Sequence, residues 1–326
     1  MITSSTISNR TAVALAFVLG VAVLTYASLA MTGNFGDWGP PINVETIPGT
    51  SSEFNTPFND GCPIQAPDGL SFYIASNRPG TLGGQDIWVA RRDRTDDPWG
   101  PFENVGAPVN SVANDFCPSP TRGYRFFFVS ERAGGCGGAD IYMTRLTHKG
   151  WDEPLNLGCS INSAGGEASP SYFENDDGEG VLYFSSNRAG GFAPDFGAPD
   201  SDIYYSLSFG PALLAPGLNT DSDDSRPNVR HDGREVVFDS TRPGTLGGPD
   251  IWTATRTSNF AVWSIPFHLA APINSSAAET RASLSWDGRQ MVFGSNRAGS
   301  ELAPGGGPPS TDVYLTTRER LNGGNN

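Results

Sequence analysis

Three sets of five charged residues recur along the 326-residue chain at a spacing of about 55. One set is acidic (Asp60, Asp115, Glu167, Asp224, Glu279), one is arginine (Arg78, Arg132, Arg188, Arg242, Arg297), and the third is Asp86, Asp140, Asp202, Asp250 and Asp312. Convergent carboxyls can cleave a glycosidic bond, provided that two of them stand in different environments and one keeps its proton. Here the acids hold equivalent places with an Arg near each, which keeps carboxylates ionised and alike. Nothing in the sequence marks a general acid. The structural reading is that each Arg pairs with an acid of its own or the next repeat, while each Asp of the third set caps a backbone turn.

The remaining chemistry-bearing residues form weaker patterns. His148, His231 and His268 fall at unrelated places in the repeat, which argues against a His-rich metal site or a Ser-His-Asp triad and for solvated surface. Asp221, Asp223 and Asp224, or Asp176 and Asp177, offer oxygen ligands of the kind Ca²⁺ takes, but neither run fits an EF-hand loop, so solvated turns and no cofactor are expected. Trp286 precedes an Asp-Gly turn with no aromatic equivalent in most other repeats and reads as exposed. Four Cys allow three pairings. Cys62 and Cys117 hold the same place in neighbouring repeats, whereas Cys136 and Cys159 fall at one edge of the second repeat; the register therefore predicts Cys62–Cys117 and Cys136–Cys159. No Cys is partnered with a His as a nucleophile would require.

The elements that position these residues come from the repeat itself. Each copy holds an aromatic strand, Ser-x-Arg, a Gly-rich connection, and Asp followed by a second strand, as in FYIASNRPGTLGGQDIWVARR from Phe72 and VVFDSTRPGTLGGPDIWTATR from Val236. A short strand a begins at each acid. The aromatic strand b follows, usually after an Asp-Gly turn, then strand c from the Asp, then an element d introduced by Trp99, Trp151, Trp263 or a degenerate copy from Phe209. Fixed register makes those Trp residues packing groups rather than a ligand platform. The fifth copy has no d segment behind Arg320, and WGPPINVETIPGT from Trp38 matches the missing piece. The expectation is an all-β, five-bladed β-propeller of four-stranded antiparallel blades, its ring closed by an N-terminal strand that completes the last blade and removes open edges.

These residues resemble the TolB-like, WD-like propeller repeat of exported bacterial proteins, in which Ser-x-Arg-x-Gly followed by Asp-Ile-Tyr is characteristic. The resemblance spans residues 38–320, with no room for the extra N-terminal domain that TolB carries. It implies a fold and little about function, since the repeat serves many unrelated proteins.

In this topology the starts of a and c and the ends of b and d share one edge, so the three charged sets are expected on one face, as a charged ring around the central opening. Specificity is expected in departures from the repeat. The b–c connection lengthens in the third copy, with Phe192, Asp195, Phe196 and Asp200, and in the fifth, with Glu301 and Leu302. Exposed Phe and Pro-limited backbone suit binding loops. The leading expectation is thus a non-catalytic, monomeric propeller that binds a protein, peptide or glycan on this face. The alternatives are a polysaccharide-active enzyme using carboxylates near the axis and a structural envelope component.

Net charge of -14 works against nucleic acid and anionic membranes. From Thr11 to Thr32 no residue is charged, so residues 1–33 read as a signal peptide cut near Met31 or as a membrane anchor, the sole membrane contact. Residues 34–320 read as the propeller and 321–326 as a polar tail. Either reading of the leader puts the propeller outside the cytoplasm, in periplasm or medium.

Overall fold

The computed structural model describes residues 35–192, 200–302, 304 and 310–321. The predicted leader lies outside these residues. No described helix is long and apolar enough to cross a membrane. Residues Asp37–Arg318 form one compact unit. In a second unit, Phe35 bridges Arg320 antiparallel and the Gly36 N–H donates to the Glu319 carbonyl.

The larger unit is a five-bladed β-propeller of antiparallel sheets. Strands a, b, c and d of blade one are Asp60–Gln65, Ser71–Ser76, Asp86–Arg91 and Glu103–Asn104. Blade two has Asp115–Pro120, Arg125–Ser130, Asp140–Thr147 and Leu155–Asn156, with Gly150–Trp151 as a short fifth strand on c. Blade three runs Glu167–Glu174, Gly180–Ser186, Asp202–Leu207 and Leu213–Leu214, and blade four Asp224–Val229, Glu235–Ser240, Asp250–Thr255 and Phe267–His268. Blade five takes a, b and c from Glu279–Leu284, Gln290–Ser295 and Asp312–Thr317, and d from Ile42–Asn43. Ile42 faces Leu315 and Asn43 faces Tyr314, so the N-terminal strand closes the ring.

Strands b are buried along nearly their whole length because both of their faces meet neighbouring blades. That is why they read as unbroken apolar runs rather than alternating ones. Aromatic rings fill the wedge between blades: Tyr73 of blade one lies 5.1 Å from Phe126 of blade two, and Trp263 of blade four meets Tyr183 of blade three edge-on. Strand d is only two residues long, and its Trp precedes it, stacked under an Arg in three blades (Arg92 on Trp99, Arg256 on Trp263, Arg318 on Trp38). The Gly-Gly of the short b–c loops has a steric cause: a Cβ on Gly83 would stand 2.0 Å from the Ala113 carbonyl oxygen, and one on Gly247 2.4 Å from that of Ala277.

Every strand a is bulged at the same point. Its register on b shifts there, and its third residue (Cys62, Cys117, Ser169, Arg226 or Arg281) takes a positive φ of 48 to 57°. A bulge re-aims a side chain. These five line the space at the centre of the ring.

Candidate functional site

The acids that begin the a strands are fully buried, and each is paired to the Arg of its own blade: Asp60 with Arg78 at 2.6 Å, Asp115 with Arg132 at 2.8 Å, Glu167 with Arg188 at 3.1 Å, Glu279 with Arg297 at 3.2 Å, and Asp224 with Arg242. Each acid also accepts the N–H of the residue four before it, and each Arg reaches the backbone carbonyls entering strand a, such as Val109, Ile161 and Leu218. Just upstream stands an Asn-Ser/Thr pair in every repeat. In four of them the Asn holds the preceding c strand by both main-chain groups, as Asn110 accepts from the Ile87 N–H and donates to the Ile87 carbonyl, while Asn55 accepts from the Val313 N–H and donates to Asn43. Every acceptor in this cluster is thus occupied by a structural donor. The cluster stitches one blade to the next and does not line the axis.

The third set caps the b–c loops, with one difference between blades that matters. Asp86 accepts from the Leu82 N–H and from Asn104, Asp140 from the Cys136 N–H and Asn156, and Asp250 from the Leu246 N–H and His268. His268 stands where strand d of the other blades carries Asn, so it is a capping partner rather than solvated surface; His148 is exposed. In blade three Leu214 takes that place. Among the described residues Asp202 accepts only the Phe192 N–H, and burial pushes its carboxyl up to about 6.

Blade five brings unlike acids together. Asp312 is buried and accepts from the Glu301 N–H at 3.2 and 3.3 Å and from the Asn43 amide at 3.1 Å. Burial raises its carboxyl to about 7, and the charges of Glu301 and Glu45 push the same way. Glu45 is half-buried and accepts the Asn55 N–H at 2.8 Å; its carboxyl is raised by burial, with the charge of Glu301 adding to the shift. Glu301 itself is exposed at the root of the inserted loop. Buried, half-buried and exposed carboxyls therefore share the seam where the N-terminal strand joins blade five. Sequence reasoning singled out Glu301 and placed Asp312 among the caps. It missed Glu45, which closure alone brings here from 256 residues away in sequence.

Of the predicted loop residues, Phe192 and Leu302 are exposed, and Asp195 and Phe196 lie outside the described residues. Asp200 adds its charge to the field at Asp202. The disulfides are Cys62–Cys117 and Cys136–Cys159, with Cα separations of 5.0 and 5.5 Å. Such bonds belong to an oxidising compartment outside the cytoplasm. Asp224 and Asp176 are engaged by Arg242 and Arg234, Asp223 accepts the Ser201 N–H, and no group of three His, Cys, Asp or Glu suited to a metal occurs among the described residues. Trp286 is not an isolated exposed ring: His231 stacks on it at 4.2 Å and the Arg122 guanidinium lies 4.0 Å from its centre.

The fold defines a five-bladed propeller and the seam a cluster of unlike carboxyls. No family model matches the chain, and comparison with curated proteins finds no match. Among solved structures, an α-L-arabinofuranosidase from Lactobacillus brevis is similar at 13% identity and a TM-score of 0.54, over 86% of this chain and 94% of that one. A xylan β-1,4-xylosidase from Bacillus halodurans C-125 is similar at 16% and 0.53, over 84% of this chain and 54% of that one. A putative TolB from Agrobacterium tumefaciens, at 16% and 0.47 over 88% of this chain and all of that one, is too distant to carry the TolB-like resemblance beyond a shared propeller. At such identities the likeness is one of fold. These findings nonetheless correct the expectation of a non-catalytic binding propeller: the frame is one that glycan-cleaving enzymes share, and the objection that all the acids are alike fails at blade five.

Proposed function

We propose that the chain is a polysaccharide-active enzyme that hydrolyses a glycosidic bond on the b–c loop face, at the seam of blade five. The observation that carries this reading is the trio Glu45, Glu301 and Asp312, which differ in burial, with the charge of Glu301 raising the carboxyls of the other two. Glu45, whose carboxyl is raised by burial, serves as the general acid and gives its proton to the leaving oxygen as the bond to the sugar breaks. Exposed Glu301 is the second carboxylate, which stabilises the positive charge on the sugar and takes a proton from the water that adds to it. Asp312 is a positioning residue. It fixes the Glu301 backbone by accepting its N–H.

The axis does not serve this chemistry, because Cys62, Cys117, Ser169, Arg226 and Arg281 stand there instead of free acids. The inserted loops, through Phe192 and Leu302, supply apolar area against which sugar rings pack. Residues 1–33 direct the propeller out of the cytoplasm, as a cleaved leader or an anchor.

The test is release of reducing sugar from aryl arabinofuranosides, aryl xylosides and a panel of plant and bacterial polysaccharides. Glu45→Gln and Glu301→Gln are expected to lose about 10² to 10⁴ of the rate while melting as the parent does. A parent protein inactive on the whole panel, or folded variants that keep full activity, would overturn the assignment.

A further inference from the structure

Two arginines and one buried carboxylate meet at the centre of the ring among the described residues. Arg226 of blade four and Arg281 of blade five project there from their bulges, beside the Cys62–Cys117 disulfide and Ser169. Arg226 is bound to the buried carboxylate of Asp239. Asp239 turns its other oxygen to the backbone N–H of Arg281 at 2.9 Å, and its charge is shared between the two guanidiniums. The Arg281 side chain lies against Gly61, where a Cβ would come within 3.3 Å of its Nη1. Its Nε is buried with no hydrogen-bond partner among the described residues.

Two guanidiniums thus face one carboxylate in a cavity of about 30 Å³, and burial together with the charge of Arg226 lowers the proton affinity of Arg281. Both residues are half-buried, Arg226 with 30% of its side chain accessible, so an anion can reach the two guanidiniums from solvent and add to the single carboxylate they share. The space is sufficient for one atom-sized guest but not for a sugar or a phosphate ester.

We propose that the central cavity is a binding site for a small inorganic anion of halide size, held by the guanidinium of Arg281 and the neighbouring Arg226. The anion completes the charge balance of the ring and ties blades four and five to blade one. This site is separate from the blade-five seam and stands whether or not that seam is catalytic.

The experiment follows the thermal unfolding of the full protein in sodium bromide, titrated against sodium gluconate at constant ionic strength. A ligand that binds only the folded state raises Tm with its concentration. The expected result is a rise of several degrees that saturates with bromide, is absent in gluconate, and is lost in Arg281→Gln. Crystals of the parent protein grown in bromide are expected to give an anomalous peak between Arg226 and Arg281, a readout that does not depend on the variant folding. Coincident bromide and gluconate curves, a bromide effect that survives Arg281→Gln, or crystals with no anomalous peak at the axis would each overturn the site.

Discussion

At the scale of single residues, identical letters have come to different chemical states. Asp312 illustrates this, because its carboxyl moves from the ordinary 3.8 to about 7. Below the lower value it is protonated folded or unfolded; between the two only the folded protein keeps the proton, so stability falls as pH rises through that window and levels off above it. Asp312→Asn is expected to flatten the fall of Tm between about pH 4 and 7, leaving the smaller slope that Asp202 contributes up to about 6; an unchanged profile would show that Asp312 is ionised throughout. Arg242 stands at the opposite pole, as a residue spent on architecture. It is buried against Asp224, Ser240 and the Leu218 carbonyl, and Arg242→Ala leaves a buried carboxylate without its cation. A loss of about 3 to 5 kcal/mol is expected from chemical denaturation.

At the scale of elements, the two disulfides restrain different things. Cys62–Cys117 joins the bulges of blades one and two, and Cys136–Cys159 ties the b–c loop of blade two to the segment following its own strand d. Replacing Cys62 and Cys117 by Ala is expected to cost about 2 to 4 kcal/mol without loss of fold, read as a lower denaturation midpoint at unchanged slope. The lengthened blade-five loop belongs to this scale too. Cutting it to the length found in blade four removes Glu301, and glycan hydrolysis is expected to fall to background while the melting transition stays single. A graft that hydrolyses as fast as the parent would move the site elsewhere.

At the scale of the whole molecule, each blade depends on the next through the Asn-Ser/Thr stitch, and the last depends on the first through strand Ile42–Asn43. Asn55 accepts from the Val313 N–H, so the segment from Trp38 onward joins blade five to blade one by both strand pairing and a stitch. Deleting Trp38–Thr50 exposes the c-strand edge of blade five. The expected outcome is a lower Tm for the entire ring, not a separate early transition, with self-association in sedimentation; a monomer melting at the parent temperature would contradict closure.

The five-bladed frame, its closing strand and the disulfide pairs were legible in the sequence because they follow from register: once five copies align, residues in equivalent places share equivalent neighbours. Register also displays its own exceptions, such as Leu214 in place of Asn, Asp239 among Ala75, Val129, Ser185 and Gly294, or Arg226 and Arg281 in the column of Cys62. What those exceptions do could not be read along the chain. The bulge that turns the third residue of strand a toward the axis has no signature of its own, so Arg226 and Arg281 drew no attention, whereas the pairing of each acid with an Arg was expected from the repeat. Glu45 and Glu301 meet only because the ring closes, and a carboxyl's proton affinity is set by the water excluded from it and the charges around it. Both are properties of packing in three dimensions, and the tertiary structure alone decided them.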